Sequence, residues 1–193
     1  MLTNKANSSD KAAANVEKSN GAKEGLRGGG IFQVECRDKD GNLKWVSKSH
    51  NLVVNVGLAD MNTKYFKGTT YTAAWYLGLY GLAASSTPAA TDTMSSHTGW
   101  TEVTAYSNAT RPAVTFGNAT TADPSLIANS ASPAAFTINA SANVGGAFLT
   151  TDSTKGGTSG TLFSAADFAA PGDRVVQSGD TLNVTYTFSL DAL

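Results

Sequence analysis

Residues 182–190 read Leu-Asn-Val-Thr-Tyr-Thr-Phe-Ser-Leu, so Leu182, Val184, Tyr186, Phe188 and Leu190 alternate with Asn183, Thr185, Thr187 and Ser189. Successive side chains of a strand point to opposite faces, and an alternation this long fits a strand with one face in a core. A helical period does not satisfy it. Such a strand has to bury its apolar face against a second layer, so the rest of the chain is expected to provide one.

The remaining pattern points the same way. Residues 31–36 and 43–47 flank Asp38-Lys39-Asp40-Gly41-Asn42, and Asp-Gly between two such runs is a hairpin signal. Further strands are expected at 50–55, 73–80, 100–106, 112–116, 134–140, 145–151, 161–164 and 174–177. One helix is expected over 57–67, where Leu58, Met61, Tyr65 and Phe66 recur at helical spacing and Gly68 supplies the stop. Many short strands with one short helix predict an all-β domain, a β-sandwich with the jelly roll as leading topology. Long small-residue loops at 81–98 and 117–132 are expected to do something or lie against a neighbour, since idle loops of that length are uncommon. Residues 152–160 form a shorter loop of the same character.

Composition supports this and narrows the function. Charged residues are 15% of the chain, well below the usual quarter, and Ser, Thr, Asn and Gly carry the polar balance instead. β-Branched Thr fits a pleated outer face and Gly fits turns. A formal net charge of −1 provides no basic field for nucleic acid. One cysteine, Cys36, excludes an intramolecular disulfide framework and, within a strand, reads as a small buried apolar residue. No signal-like apolar core follows Met1 and Leu2, and no run approaches the roughly 18 apolar residues of a membrane span. Production in a cytoplasm without export, and no membrane contact, are the expectations. The sequons at Asn108, Asn118 and Asn183 then read as chance in a Thr-rich chain.

The pattern breaks at Gly28-Gly29-Gly30. Before it, Leu2, Val16 and Leu26 are nearly the only large apolar residues, and the charges are scattered and slightly basic in sum. Residues 11–18 are Ala-rich, but a helix so short is marginal alone. The expected organisation is an extended arm with a glycine hinge over 1–30 and a β-sandwich over 31–193. The arm's candidate contacts are Lys5, Lys11, Lys18, Lys23 and Arg27 by charge, with Leu2, Val16 and Leu26 as apolar pegs.

Catalytic chemistry finds little footing. His50 opens a strand and His97 sits in Ser95-Ser96-His97-Thr98, and neither has a sequence partner for acid–base or nucleophilic work. Metal, phosphate and nucleophile-elbow motifs are missing, and residues 38–42 lack the later acidic ligands of a calcium loop. No enzyme activity, cofactor or metal is expected. A polysaccharide hydrolase would need two of Glu102, Asp123, Asp152 and Asp167 to meet as a carboxylate pair. Among aromatics, Trp75, Leu77 and Leu79 are assigned to the core; Tyr76 and Tyr80, with Trp100 and Tyr106, are candidates for a subunit interface or a sugar platform.

The runs Asn51-Leu52-Val53-Val54-Asn55-Val56-Gly57-Leu58 and Ala73-Ala74-Trp75-Tyr76-Leu77-Gly78-Leu79 resemble small structural proteins of tailed-bacteriophage virions. So do Thr104-Ala105-Tyr106 through Arg111-Pro112, Ala147-Phe148-Leu149 followed by Ser153-Thr154-Lys155-Gly156-Gly157, and the closing residues 179–188. The resemblance covers 31–193 and implies a head decoration or cement protein on the outer capsid surface. It further implies the major capsid protein as partner, self-association as dimer or trimer, and synthesis in the host cytoplasm. The alternative it leaves open is a tail- or fibre-associated virion protein binding a host receptor or glycan.

Overall fold

The computed structural model describes residues 25–71, 74–82 and 87–192. Strand β1 (Leu26–Arg37) runs antiparallel to β12 (Thr181–Ala192) along its whole length, from Leu26 opposite Ala192 to Arg37 opposite Thr181. β2 (Leu43–His50) flanks β1, while β6 (Ser125–Ala128) and β7 (Ala134–Thr137) pair with opposite ends of β12. A second antiparallel sheet has the order β3 (Leu52–Val53), β10 (Leu162–Asp167), β9 (Gly146–Thr150), β4 (Tyr76–Leu82), β5 (Trp100–Glu102). A small third sheet pairs β8 (Ala142–Val144) with β11 (Arg174–Val176). The described residues are thus mostly β, in antiparallel sheets, with one helix among them, α1 (Asn55–Lys67).

The alternating faces of β1 and β12 do what their sequence demands. Phe32, Val34, Cys36, Leu182, Val184 and Tyr186 are all buried, and they share one core with Leu77, Leu79, Ala147, Leu149 and Phe163 from the second sheet. Burying this set removes a large apolar area from water, the main drive for closing the two sheets.

Several expectations are corrected. The triple glycine is no hinge: Gly28, Gly29 and Gly30 pair with Leu190, Ser189 and Phe188 inside β1, so the strand starts before residue 31. Leu26 and Arg27, assigned to the arm, are the first residues of that strand. Residues 112–116 form no strand and keep only a bridge from Ala113 to Tyr76, whereas the expected loop 117–132 contains β6. The helix ends as expected at Gly68, in the left-handed conformation, but its apolar residues do not form a buried stripe. Leu58, Tyr65 and Phe66 are exposed, and Gly57 is the helix's buried residue. A Cβ on Gly57 would lie 2.4 Å from the carbonyl oxygen of Phe163, so the missing side chain lets α1 press directly onto β10. The helix is anchored at its first turn by Gly57 and packs Met61 against the core, while Tyr65 and Phe66 in its last turns stay exposed.

Candidate functional site

Each acid weighed for hydrolysis is held by bonds to the fold, two of them on one cation. Glu102 grips Arg111 through two bonds, Nε to Oε1 at 3.0 Å and Nη2 to Oε2 at 2.7 Å. Arg111 is fully buried, donates also to the carbonyls of Asp152 and Gly157, and lies 5.3 Å from the centre of the Phe148 ring. Asp152 reaches the same guanidinium at 3.7 Å, so Glu102 and Asp152 converge on a cation rather than across a cleft. The result is a knot tying the 151–160 loop to the end of β5, with Lys155 adding bonds to the carbonyls of Tyr106 and Asn108. Asp123 accepts from the backbone of Ala192, and Asp167 accepts from Tyr80 at 2.6 Å. His97 stacks on Trp100 at 3.7 Å and bonds the Trp100 carbonyl through Nδ1; His50 is exposed at the end of β2. Burial, then the charge of Asp180, pushes the Cys36 thiol up to about 11, which leaves it unreactive. Among the described residues no group of three or more His, Cys, Asp or Glu side chains is placed to hold a metal ion, and no helix is long and apolar enough to cross a membrane.

Three of the four aromatic interface candidates lie inside the chain. Tyr80, Trp100 and Tyr106 are buried, and Tyr76 is half-buried. Tyr80 and Trp100 belong to a second cluster, with Phe148, Leu162, Ala165, Val54 and Met94, on the far face of the second sheet. Two glycines make it possible. Gly78 pairs with Phe148 and Gly146 pairs with Tyr80, and a Cβ on either glycine would sit 2.1–2.2 Å from the ring opposite. Each ring therefore lies flat over its glycine partner, a cross-strand pairing that closes the sheet surface. Residues 87–99 then cap the cluster: Asp92 accepts from the Trp100 indole at 3.0 Å, Met94 is buried, and Asn55 donates to the carbonyl of Ala90. Part of the loop expected at 81–98 thus seals its own sheet. The near-continuous apolar run Tyr-Leu-Gly-Leu-Tyr-Gly-Leu at 76–82 is the signal for a strand buried on both faces.

A third aromatic group stays open. Between the outer turn of α1 and the ends of the two sheets lies an apolar groove of about 310 Å³. Its floor and walls include Trp75, Phe116, Ile127, Leu149, Phe163 and Phe188, and Met61 and Tyr65 line it from the helix side. Tyr186 reaches it too, but its hydroxyl is held by Asn51 at 2.9 Å and Ser164 at 3.3 Å, and burial pushes its pKa up. Trp75 and Phe163 meet edge to face at 5.4 Å, as do Phe163 and Phe188 at 5.5 Å, so the lining is a rigid aromatic ladder. At the rim, Lys64 is paired with Asp60 at 3.0 Å and lies 6.0 Å over Trp75. Beside it stand Tyr65 at 81% exposure, Phe66 at 78% and Tyr71 at 68%. Exposed aromatics grouped around an apolar hollow make this a candidate contact surface, because isolated exposure is ordinary and clustered exposure is not. Tyr65 and Phe66 fall at helical spacing with Leu58 and Met61, and the structure leaves both outside the core.

On the outer face of the first sheet lies a smaller hollow of mixed lining, about 250 Å³, where Gly29 lacks a side chain between Arg27, His50, Thr187, Ser189 and Asp191. Of the arm candidates, Arg27 lines this hollow and Leu26 is exposed at the ribbon's tip, while Leu2, Lys5, Lys11, Val16, Lys18 and Lys23 lie outside the described residues. Compared with protein-family models, with curated proteins and with solved structures, the chain finds no match.

Proposed function

We propose that the chain is a structural docking protein of the capsid-decoration or cement type, gripping the outer capsid surface through the apolar groove beside α1 and through its N-terminal residues. The observation that carries the docking part is the aromatic groove, open among the described residues, with Tyr65 and Tyr71 lining it and exposed Phe66 against Tyr65, on a body whose buried charges are spent holding loops. The sequence resemblance carries the capsid part. Within this reading the sheets form a jelly roll, supported by the first and last strands lying side by side in one sheet. Two attachments on one chain, groove and N-terminal residues, raise the effective concentration of the second once the first has bound.

The test is co-sedimentation of purified protein with capsids, alongside its copy number per particle. Hundreds of copies, with binding weakened at least tenfold by Tyr65→Ser plus Phe66→Ser, is the expected result. Those rim side chains are exposed, so thermal stability should stay within about 0.5 kcal/mol of the parent. Full binding by the double variant removes the groove, and no binding by the parent removes the decoration role.

The hollow over Gly29 favours one second reading, a tail- or fibre-associated protein binding a receptor glycan, because Arg27, His50, Ser189 and Asp191 present donors and acceptors around a recess. Few copies per particle and a glycan-array signal lost on Asp191→Ala would support it over decoration.

A further inference from the structure

The apolar groove holds one charged pair, and the surroundings of that pair indicate the side chain the groove receives. Asp60 and Lys64 stand one turn apart on α1, are bonded at 3.0 Å, and both line the groove. Their side chains are only 18% and 16% exposed, so the pair is largely taken from water. Lys64 also lies 6.0 Å over the Trp75 ring, at the limit of a cation–π contact. Around them stand Tyr65, Tyr71, Phe116, Phe163 and Phe188. Aromatic walls with one carboxylate among them make a place for a cation, because ring faces attract positive charge and the carboxylate fixes its position.

Lys64 matches that place poorly. An ammonium is compact and strongly hydrated, and a ring 6.0 Å away repays little of the hydration it gives up. A guanidinium differs on each count: it is planar, more weakly hydrated, stacks on aromatic faces and meets a carboxylate through two parallel N–H bonds. Its stem is apolar and suits an apolar lining. The chain already builds such a contact on its closed side, where Arg111 lies 5.3 Å from the Phe148 ring and Glu102 accepts two bonds from it. Exchanging one cation for the other returns the Lys64 ammonium to water and keeps Asp60 paired throughout. Arginine is also enriched at protein interfaces, where lysine is depleted.

We infer that the groove receives an arginine side chain of the docking partner, its guanidinium stacked on Trp75 and bonded to Asp60, with Lys64 as the cation it displaces. This rests on the groove being the docking site, and it names the chemistry that docks there. Asp60 then selects the partner's side chain, and Tyr65 and Tyr71 flank its stem. Lys64 keeps its place against an uncharged side chain, which offers Asp60 nothing in exchange.

Titration of the full chain with N-acetyl-arginine methylamide, followed by the NMR signal of the Trp75 indole, tests it. The comparison probe is the citrulline analogue, which keeps the shape and replaces the guanidinium by a neutral urea. The expected result is that the arginine probe shifts the Trp75 signal and binds at least tenfold more tightly than the citrulline probe. Lys64→Ala should tighten arginine binding several-fold, since the displaced cation is gone, and Asp60→Asn should weaken it to the citrulline level. Equal affinities overturn the inference, because the groove would then read shape alone, and so does no response to either probe. Weaker arginine binding by Lys64→Ala overturns it too, because Lys64 would then be a contact and not the cation displaced. The probe comparison on the parent chain stands without any variant having to fold. Capsids are absent from the titration, so the two readings fail separately. Co-sedimentation that is weakened by Tyr65→Ser plus Phe66→Ser but untouched by Asp60→Asn overturns the arginine contact and leaves the docking role standing. A clear arginine preference in a chain that binds no capsid supports the groove chemistry and removes the decoration role.

Discussion

Two aromatic clusters lie near opposite faces of the second sheet, and they differ mainly in whether the described residues cover them. Tyr80, Trp100 and Phe148 are buried, capped by residues 87–99 and pressed down by the Arg111 guanidinium. Trp75, Phe116 and Phe188 are only partly buried, beside a helix that presses on β10 at Gly57, packs Met61 against the core and leaves Tyr65 and Phe66 exposed. Both clusters are built from similar residues. The difference is that the first is held shut by glycines that lower its rings onto the sheet and by polar bonds that fix its cover, whereas among the described residues the second has no such cover. Among the described residues the second cluster lies open beside exposed Tyr65, Phe66 and Tyr71, a grouping of exposed apolar side chains that suits a contact surface.

The sharpest way to break the closed side is Arg111→Met. It strands Glu102 with side-chain exposure of 9%, and orphans the carbonyls of Asp152 and Gly157. Removing one partner of a buried pair typically destabilises by about 3–5 kcal/mol, so the midpoint of denaturant unfolding should fall sharply. Adding Glu102→Leu should recover part of the loss, because the buried charge goes with it. Next in size is Gly78→Ala. Its new Cβ would collide with the Phe148 ring at 2.1 Å, and overpacking of this kind costs about 1–3 kcal/mol, read by the same unfolding experiment. Phe148→Leu in the same chain should relieve that strain, which separates a ring clash from a backbone effect. If either substitution left the unfolding midpoint unchanged, the closed cluster would not be the rigid element described.

Much of this was legible in the residues. The alternation at 182–190 identified β12 and its buried face, Asp38 to Asn42 identified the β1–β2 turn, and Gly68 identified the helix end. Other features depend on tertiary contacts that local pattern does not carry. Gly28 to Gly30 looked like a break because glycine lacks strand propensity, yet full pairing with β12 holds them in the sheet. The apolar positions of α1 had helical spacing, but close approach at Gly57 decided which way the helix leans, leaving Tyr65 and Phe66 outside. Arg111 looked like one scattered cation; only the fold brings Glu102, Asp152 and Gly157 around it. Tyr80 was the avoidable miss, since apolar residues on both faces of 76–82 already described a strand covered on two sides.

The smallest expected effect concerns how the closed cluster meets water. Tyr80 donates to Asp167 at 2.6 Å at the cluster's edge. Burial raises the Asp167 carboxyl above its ordinary 3.8, the nearby charge of Asp173 raises it further, and the tyrosine bond only partly opposes this. Burial and the same bond push the Tyr80 hydroxyl up, so it stays protonated and keeps donating. The sign follows. A carboxyl with a raised folded pKa binds its proton more tightly in the folded chain than in the unfolded one. Its contribution to stability is full below the unfolded value and is lost as pH climbs through the folded value. Asp167→Asn keeps an acceptor for Tyr80 and removes the titration. The variant should therefore gain stability relative to the parent as pH rises above about 4, with the difference levelling off once the parent carboxyl is fully ionised. Thermal unfolding of both proteins across that range measures it. A constant difference at every pH would mean that the closed cluster feels no charge at its edge, and that its lid is sealed by packing alone.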